Sequence, residues 1–235
     1  MNNKKEKEII KTLEEKAKLK QNVFDNTYDI FKKLKNILQK LEKKYNELLK
    51  ETFSEKIIVF KDISNFQAEL KVAGDILVFQ MHSNIFQFDR DHEVWKTAYV
   101  QKNPMCTYSG IINIYNFLAD SFRYNRFEDY GYLVGRLFVN IENHFFVEGK
   151  RQADFSYSNF GKAIIDEKKL QEFIETAIAY SLEFNLLVPL YDDIKVITVE
   201  QIQESRAKHI KTGKRLGFGF HSDDISGEKL IYTGG

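Results

Sequence analysis

Along the first 48 residues, apolar side chains recur at alternating steps of three and four, and this repeat constrains the fold more than any other feature. It contains Ile10, Leu13, Ala17, Phe24, Phe31, Leu34, Leu38, Leu41, Tyr45 and Leu48, and only Lys20 and Thr27 interrupt it. A period of 3.5 residues keeps one stripe of a helix facing the same neighbour over its whole length. The sequence therefore predicts a long helix whose apolar stripe, called the seam below, is covered by other polypeptide.

Two arrangements of this helix fit the sequence. Gly and Pro are absent before Gly74, which favours one rod, about 70 Å long for residues 5–51 at 1.5 Å per residue. A helical hairpin turning near residues 22–27 is the alternative, because Asn, Asp and Thr side chains compete for backbone hydrogen bonds and favour helix ends. The seam runs through these residues in phase, so we favour the rod.

The architecture depends on what covers the seam. We expect a second copy of the chain, most simply in a parallel dimer, with residues 1–52 as a coiled-coil-like oligomerisation arm and residues 53–235 as the body. The alternative is that the helix folds back on its own body, and bulky Phe side chains leave higher oligomers open. The oligomer seam is assigned to Leu13, Phe24, Phe31, Leu34, Leu38, Leu41, Tyr45 and Leu48.

After Lys56 the sequence favours strands on short connections, which predict an antiparallel meander. The candidate strands are residues 66–72, 76–81, 85–88, 94–100, 111–124, 130–140, 144–147 and 194–198. Asp166 can cap an amphipathic helix, and Thr198 with Gln201 fits a capping box for a second helix. We therefore predict an α+β fold with a long N-terminal helix, an antiparallel sheet of about six to eight strands, and one or two C-terminal helices packed on that sheet.

Composition and charge narrow the class of protein. The net charge is +1, but residues 1–50 carry 14 Lys and 8 acidic residues, so a basic arm precedes a slightly acidic body. Cys106 is the single cysteine, which fits a reducing compartment. The N-terminus lacks the apolar core of a signal peptide, and no apolar run is long enough to cross a bilayer. We expect a cytoplasmic protein with no membrane partner.

The densest group of potential metal ligands is His82, Asp89, Asp91 and His92. Imidazole and carboxylate groups bind zinc, iron or manganese, and such a site would support a metal-assisted hydrolase. The spacing is not that of a helical ligand pair, however, and Asp side chains in a tight turn bond their own backbone. Turn formation is therefore the favoured interpretation of this group.

A second group could bind a small anion. It comprises Arg123, Tyr132 and Arg136, of which Arg136 lies within an otherwise apolar strand. A guanidinium group in such a place must be paired, exposed or used, and its donors match carboxylate and phosphate groups. The competing interpretation is a cross-strand ion pair between Arg136 and either Asp120 or Glu148.

A basic segment with interspersed glycines lies near the C-terminus and contains Lys208, Lys211, Lys214 and Arg215. Such a segment can hold phosphate groups, and this makes nucleotide or nucleic-acid binding an alternative function, although not the favoured one. Basic residues at a helix C-terminus also complement the helix dipole without any ligand, and the phosphate-binding P-loop pattern is absent.

The residues thus favour a non-enzymatic, oligomeric binding, sensor or adaptor module. A strong association signal is combined with the absence of any complete catalytic or cofactor motif from the sequence. We expect a homo-oligomer, with a protein partner or a small anionic ligand in addition, and we predict no cofactor. Apart from Lys102, Cys106 lacks basic neighbours, and it has no defined histidine partner that would activate a catalytic thiol.

Overall fold

The computed structural model describes residues 2–149, 160–186, 188, 190–200 and 202. The α-helices are α1 (Asn2–Leu49), α2 (Ala98–Lys102), α3 (Ala119–Arg123), α4 (Glu167–Leu182) and α5 (Tyr191–Ile194). The strands are β1 (Ile58–Ser64), β2 (Gln67–Val72), β3 (Asp75–Met81), β4 (Phe86–Gln87), β5 (Tyr108–Leu118), β6 (Tyr132–Asn140) and β7 (Phe145–Gly149). Two short 3₁₀ helices, Glu93–Lys96 and Pro104–Thr107, flank α2.

The strands form one antiparallel sheet of seven strands in the order β1-β2-β3-β5-β6-β7, with β4 paired to β5. Neighbours in the sheet are also neighbours along the chain, apart from the excursion between β3 and β5, so the sheet is a meander. With the long N-terminal helix and α4, this architecture confirms the predicted α+β fold. Among the described residues, no helix has both the length and the apolar character that crossing a membrane requires.

Helix α1 is one continuous helix, so the hairpin alternative is not what the chain forms. The polar side chains near its midpoint have partners that leave the helix intact. Thr27 donates its hydroxyl to the carbonyl of Val23 at 2.7 Å, and Asn26 donates its amide to the carbonyl of Ile141 at 2.8 Å. These side chains therefore stabilise the helix and its contact with the β6–β7 turn, and they do not end the helix as caps.

The main hydrophobic core lies between one face of the sheet and the helices α1 and α4. Helix α1 contributes Ile30, Phe31, Leu34, Ile37, Leu38 and Leu41, all buried. The alternate residues of β2, β3, β5 and β6 form the opposing surface, as expected for strands with one face in the core. The seam from Phe31 to Leu41 is thus covered within the chain.

Helix α4 follows its sequence pattern closely. The Asp166 side chain accepts a hydrogen bond from the backbone N–H of Lys169 at 2.8 Å and caps the helix as predicted. The apolar stripe is buried from Leu170 to Ile178, so this helix packs on the sheet as expected.

On the opposite face of the sheet, a smaller core joins β5, β6 and β7 to the segment between β3 and β5. Val94 and Val100 belong to this core, but the expected strand 94–100 is wrong: the segment forms a 3₁₀ helix followed by α2. The side chains of His92 and Thr97 accept hydrogen bonds from backbone N–H groups two and three residues later, and these caps favour helical turns.

The chain divides into two compact units. The first contains residues 1–119 and 131–183, and therefore holds α1, the whole sheet and α4. The second contains residues 120–130 and 184–235, of which residues 184–186, 188, 190–200 and 202 are described in its C-terminal part. The expected strand 194–198 is wrong, since α5 ends at Ile194 and residues 195–198 are irregular, whereas a helical turn does follow Thr198.

Candidate functional site

The N-terminal part of α1 differs sharply from the rest of the helix, because residues 4–22 are exposed except for the partly buried Leu19. We call residues 4–22 the projecting segment. Its seam residues Ile10 and Leu13 have 48% and 63% of their surface exposed, and Ile9 beside them is 53% exposed. An apolar stripe on an otherwise unsupported helix is typical of a surface that meets another polypeptide.

A cleft of about 610 Å³ lies at the base of the projecting segment. One wall is the seam face of the helix, formed by Ala17, Lys20, Gln21 and Phe24; the other is the loop after β3 with β4, formed by Ser83, Asn84, Ile85 and Phe86. Phe24 stacks on Tyr28 and touches Phe66 edge to face, which fixes its ring at the inner end of the cleft. The cleft is therefore a continuation of the exposed seam, with an added aromatic wall.

The structure separates the predicted oligomer seam into two parts. Phe31, Leu34, Leu38 and Leu41 are buried in the main core, and Phe24 and Tyr45 pack against that core. The phenol of Tyr45 donates a hydrogen bond to Glu175 at 3.1 Å, and burial raises its pKa. Leu13 and, at the other end of the helix, Leu48 are exposed. The division into an arm of residues 1–52 and a body stays a prediction, but the exposed N-terminal stretch is shorter and ends near Asn22.

The four candidate metal ligands take part in local turns. His82 Nδ1 accepts a hydrogen bond from the N–H of Asn84 at 2.9 Å, and Asp89 accepts one from the N–H of Asp91 at 3.2 Å. His92 Nδ1 accepts from the N–H of Val94 at 3.1 Å. Within the described part of the chain, no group of three or more His, Cys, Asp or Glu side chains is arranged to hold a metal ion.

Arg136 has the cross-strand partner that the competing interpretation named. It faces Glu148 in the register of β6 and β7, and both Nε, at 3.0 Å, and Nη2 donate to the Glu148 carboxylate. His92 Nε2 lies 3.5 Å from the other oxygen of Glu148, and the guanidinium group lies 5.0 Å from the ring centre of Phe138. A carboxylate already neutralises this guanidinium group, which weakens the case for an anion site at Arg136.

The other two members of the anion-binding group have different surroundings. Arg123 belongs to the second unit, where its guanidinium group lies 5.3 Å from the ring centre of the adjacent Tyr124. Tyr132 lies at the start of β6, and burial raises the pKa of its hydroxyl. The candidate phosphate contacts Lys208, Lys211, Lys214 and Arg215 lie outside the described residues.

A polar network that the sequence did not indicate joins α2 to the β6–β7 turn. Tyr99 donates its hydroxyl to Glu142 at 2.7 Å and accepts a hydrogen bond from the Asn140 amide at 2.9 Å. The Asn140 side-chain oxygen accepts the backbone N–H groups of Glu142 and His144, each at 3.0 Å. The network therefore holds the turn and α2 in a fixed relation.

The backbone carbonyl of Cys106 joins this network by accepting a hydrogen bond from the Asn140 amide at 3.4 Å, and three groups of the network have shifted pKa values. The hydrogen bond from Tyr99 lowers the pKa of Glu142, and burial raises the pKa of the Tyr99 hydroxyl. Burial also raises the pKa of the Cys106 thiol to about 11, to which the nearby negative charge of Glu142 contributes. Near neutral pH the carboxylate is charged while the phenol and the thiol keep their protons, and a protonated, buried thiol is a poor nucleophile. These shifts fit a structural role.

The sequence pattern identified the helical wall of the cleft but not its other wall. Phe86 lies in a strand of two residues, too short for a periodic pattern, and its position beside the helix depends on the pairing of β4 with β5. The Tyr99 network joins residues 43 positions apart. Only the tertiary fold brings such residues together, so no local signal could have found either feature.

A scan of family models finds none that matches this chain, and searches of curated proteins and of solved structures return no significant match.

Proposed function

We propose that this chain is a non-enzymatic assembly module that self-associates through its projecting segment and presents its β-rich body as an adaptor or sensor. The observation that carries the proposal is the exposed stretch of seam at Ile10 and Leu13, in phase with the part of the seam that the chain's own sheet covers. A dimer is the simplest product, and a cytoplasmic location fits the single cysteine.

The energetics of the projecting segment support association. The projecting segment continues a helix that is anchored in the core, but packing of an apolar face supplies most helical stability in proteins, and Ile9, Ile10 and Leu13 of this segment are exposed. Full burial of an Ile or Leu side chain contributes about 1.5–3 kcal/mol relative to exposure. Covering Ile9, Ile10 and Leu13 of two copies at once would therefore stabilise both helices and the pair.

The surroundings of the polar candidates also favour assembly over catalysis. His82, Asp89 and His92 accept hydrogen bonds from the backbone of local turns, and Arg136 is paired with Glu148. The buried thiol of Cys106 has a raised pKa. Each of these groups already has a structural role that accounts for its place in the fold.

The proposal is tested by light scattering coupled to size exclusion on the full chain at micromolar concentrations. We expect a dimer for the wild type and a monomer for Leu13→Asp, which places a charge on the exposed seam. Leu48→Asp is the matched control, because Leu48 is also an exposed seam residue but lies at the other end of α1. It should remain a dimer. A wild-type chain that is monomeric at every concentration would overturn the proposal.

A further inference from the structure

We propose that two copies pair their projecting segments in antiparallel orientation, so that the first turn of each helix lies over the partner's cleft. This inference rests on the proposed self-association and specifies its geometry. It replaces the parallel dimer that the sequence repeat suggests, and it follows from where the sheet lies, from the register of the seam and from the charges beside it.

The position of the sheet opposes a parallel pair. In a coiled coil the two seams face each other. From Thr27 onward, the seam face of α1 is covered by the chain's own sheet: Thr27 meets Gly110 of β5, and Phe31 is fully buried. In a parallel pair both sheets would have to occupy the same space between the helices. In an antiparallel pair the sheets lie at opposite ends, and each exposed seam is available to the other.

The end of the exposed seam also limits the register. In an antiparallel pair, each residue of one seam row faces a residue of the other row. If Ile10 faced the partner's Thr27, residues 3–7 of one helix would lie level with residues 30–34 of the other, where the sheet already covers the seam. If Ile10 faces the partner's Leu13, the first turn of the partner helix ends beside Lys20 and Gln21, which line the cleft. In this register residues 2–22 of the partner helix lie only against the exposed part of the seam.

The flanking charges favour the same register. With Ile10 facing the partner's Leu13, Lys7 comes beside the partner's Glu14 and Glu14 beside the partner's Lys7, and the partner's Glu6 faces Ala17, one seam position before Lys20. The intermediate register, in which Ile10 faces the partner's Lys20, instead places Glu14 beside the partner's Glu14 and Lys16 beside the partner's Lys16. Like charges at these positions oppose pairing, so one register combines apolar contact, complementary charge and freedom from overlap.

The apolar residues of the chosen register form a compact centre. Ile10 and Leu13 of each copy make two symmetric contacts, with Ile9 at their edge, and all three are exposed in the single chain. Ala17, the cleft residue next to this centre, is small enough to let the helices approach closely. Phe86, itself 40% exposed, is placed to cover the end of the partner helix.

Spin-label distances between two copies distinguish the orientations. Asn22→Cys and Thr12→Cys place labels on exposed positions of the projecting segment, and the buried Cys106 stays unlabelled. In the antiparallel pair the Asn22 positions lie about 30 Å apart along the axis, at 1.5 Å per residue, while the Thr12 positions lie at nearly the same level. We expect a long distance at position 22 and a short one at position 12. Equal short distances at both positions would overturn the antiparallel geometry.

Charge reversal tests the register. Lys7→Glu and Glu14→Lys should each raise the dimer dissociation constant several-fold, and the combined variant should return it towards the wild-type value. The control pair is Lys5→Glu with Glu8→Lys, at positions that point away from the seam, and it should leave the constant unchanged. A combined variant weaker than either single variant would overturn the register.

The outcomes for the two proposals are distinct. A wild-type chain that is monomeric throughout removes the self-association on which the geometry rests; in that case the exposed seam is covered by the chain itself or by a different protein. A dimer with equal label distances leaves self-association standing and removes only the antiparallel arrangement.

Discussion

Thr27 on α1 lies directly against Gly110 on β5, so close that a Cβ added to the glycine would fall 2.1 Å from the threonine hydroxyl oxygen. Both residues belong to the unit that contains the helix and the sheet. This contact marks the point where the seam passes from exposed to covered, because Val23 and Thr27 are fully buried whereas Gln21 and Asn22 are exposed. The absence of a side chain at Gly110 is what allows the helix to rest on the strand.

Gly110→Ala should therefore destabilise the fold. Contact with the Cβ of Thr27 and with both branches of its short side chain forces the helix and strand apart, and overpacking of this kind costs about 1–3 kcal/mol. Urea denaturation measures the change. Gly74→Ala is the control, since nothing lies within 4 Å of a Cβ at Gly74. Equal stability of the two variants would mean that α1 does not rest on β5 at Gly110.

The two parts of the seam should respond differently to truncation. Leu38→Ala opens a cavity in the main core, where Leu38 is fully buried, and should cost about 2–5 kcal/mol. Leu13→Ala should change the stability of the isolated chain by only about 0.5 kcal/mol or less, as for other exposed sites. It should instead raise the dimer dissociation constant. The free energy of unfolding of each variant is measured at low protein concentration, and the dimer dissociation constant is measured at high protein concentration.

The thiol of Cys106 should be inert in the folded protein. The residue is fully buried, and its pKa of about 11 means that only about one thiol in a thousand is ionised at pH 8. A chromogenic thiol reagent should react with the native protein no faster than the protein unfolds. In denaturant, the same reagent should react with Cys106 at once. Rapid stoichiometric reaction of native protein would contradict the burial of this side chain.

The hydrogen bond between Tyr99 and Glu142 should affect how the free energy of unfolding falls with decreasing pH. Because folding lowers the pKa of Glu142 from its ordinary value of 4.5, the unfolded chain takes up this proton first as the pH falls. The contribution is complete above the unfolded pKa and is lost as the pH falls through the folded one. Tyr99→Phe removes the main cause of the shift and should make the loss less steep below about pH 5. Identical slopes for both proteins would show that the bond does not set the shift.

Much of the fold could be predicted because local pattern and tertiary environment agree. Residues 66–72 alternate as a strand with one buried face and residues 76–81 follow a turn as the return strand, and the structure has β2 and β3 there. Asp166 and the stripe that begins at Leu170 define α4 because capping and amphipathic period depend only on neighbours in sequence.

Other features could not be predicted because they depend on distant residues. A seam has the same sequence whether a sheet or a second helix covers it, so Phe31 and Leu38 carried no information about their own partner. Val94 and Val100 have strand propensity, but caps at His92 and Thr97 and burial against β6 and β7 favour helical turns. The ion pair of Arg136 needed the register of β6 with β7 before Glu148 could be chosen over Asp120.

The most direct test of self-association through the projecting segment is sedimentation velocity of this chain, from low to high micromolar concentration, with the Leu13→Asp variant measured in parallel. We expect the wild type to approach twice the 27.7 kDa mass of one chain as concentration rises, while the variant stays at the single mass. A wild-type chain that sediments at 27.7 kDa across the whole range would contradict the account.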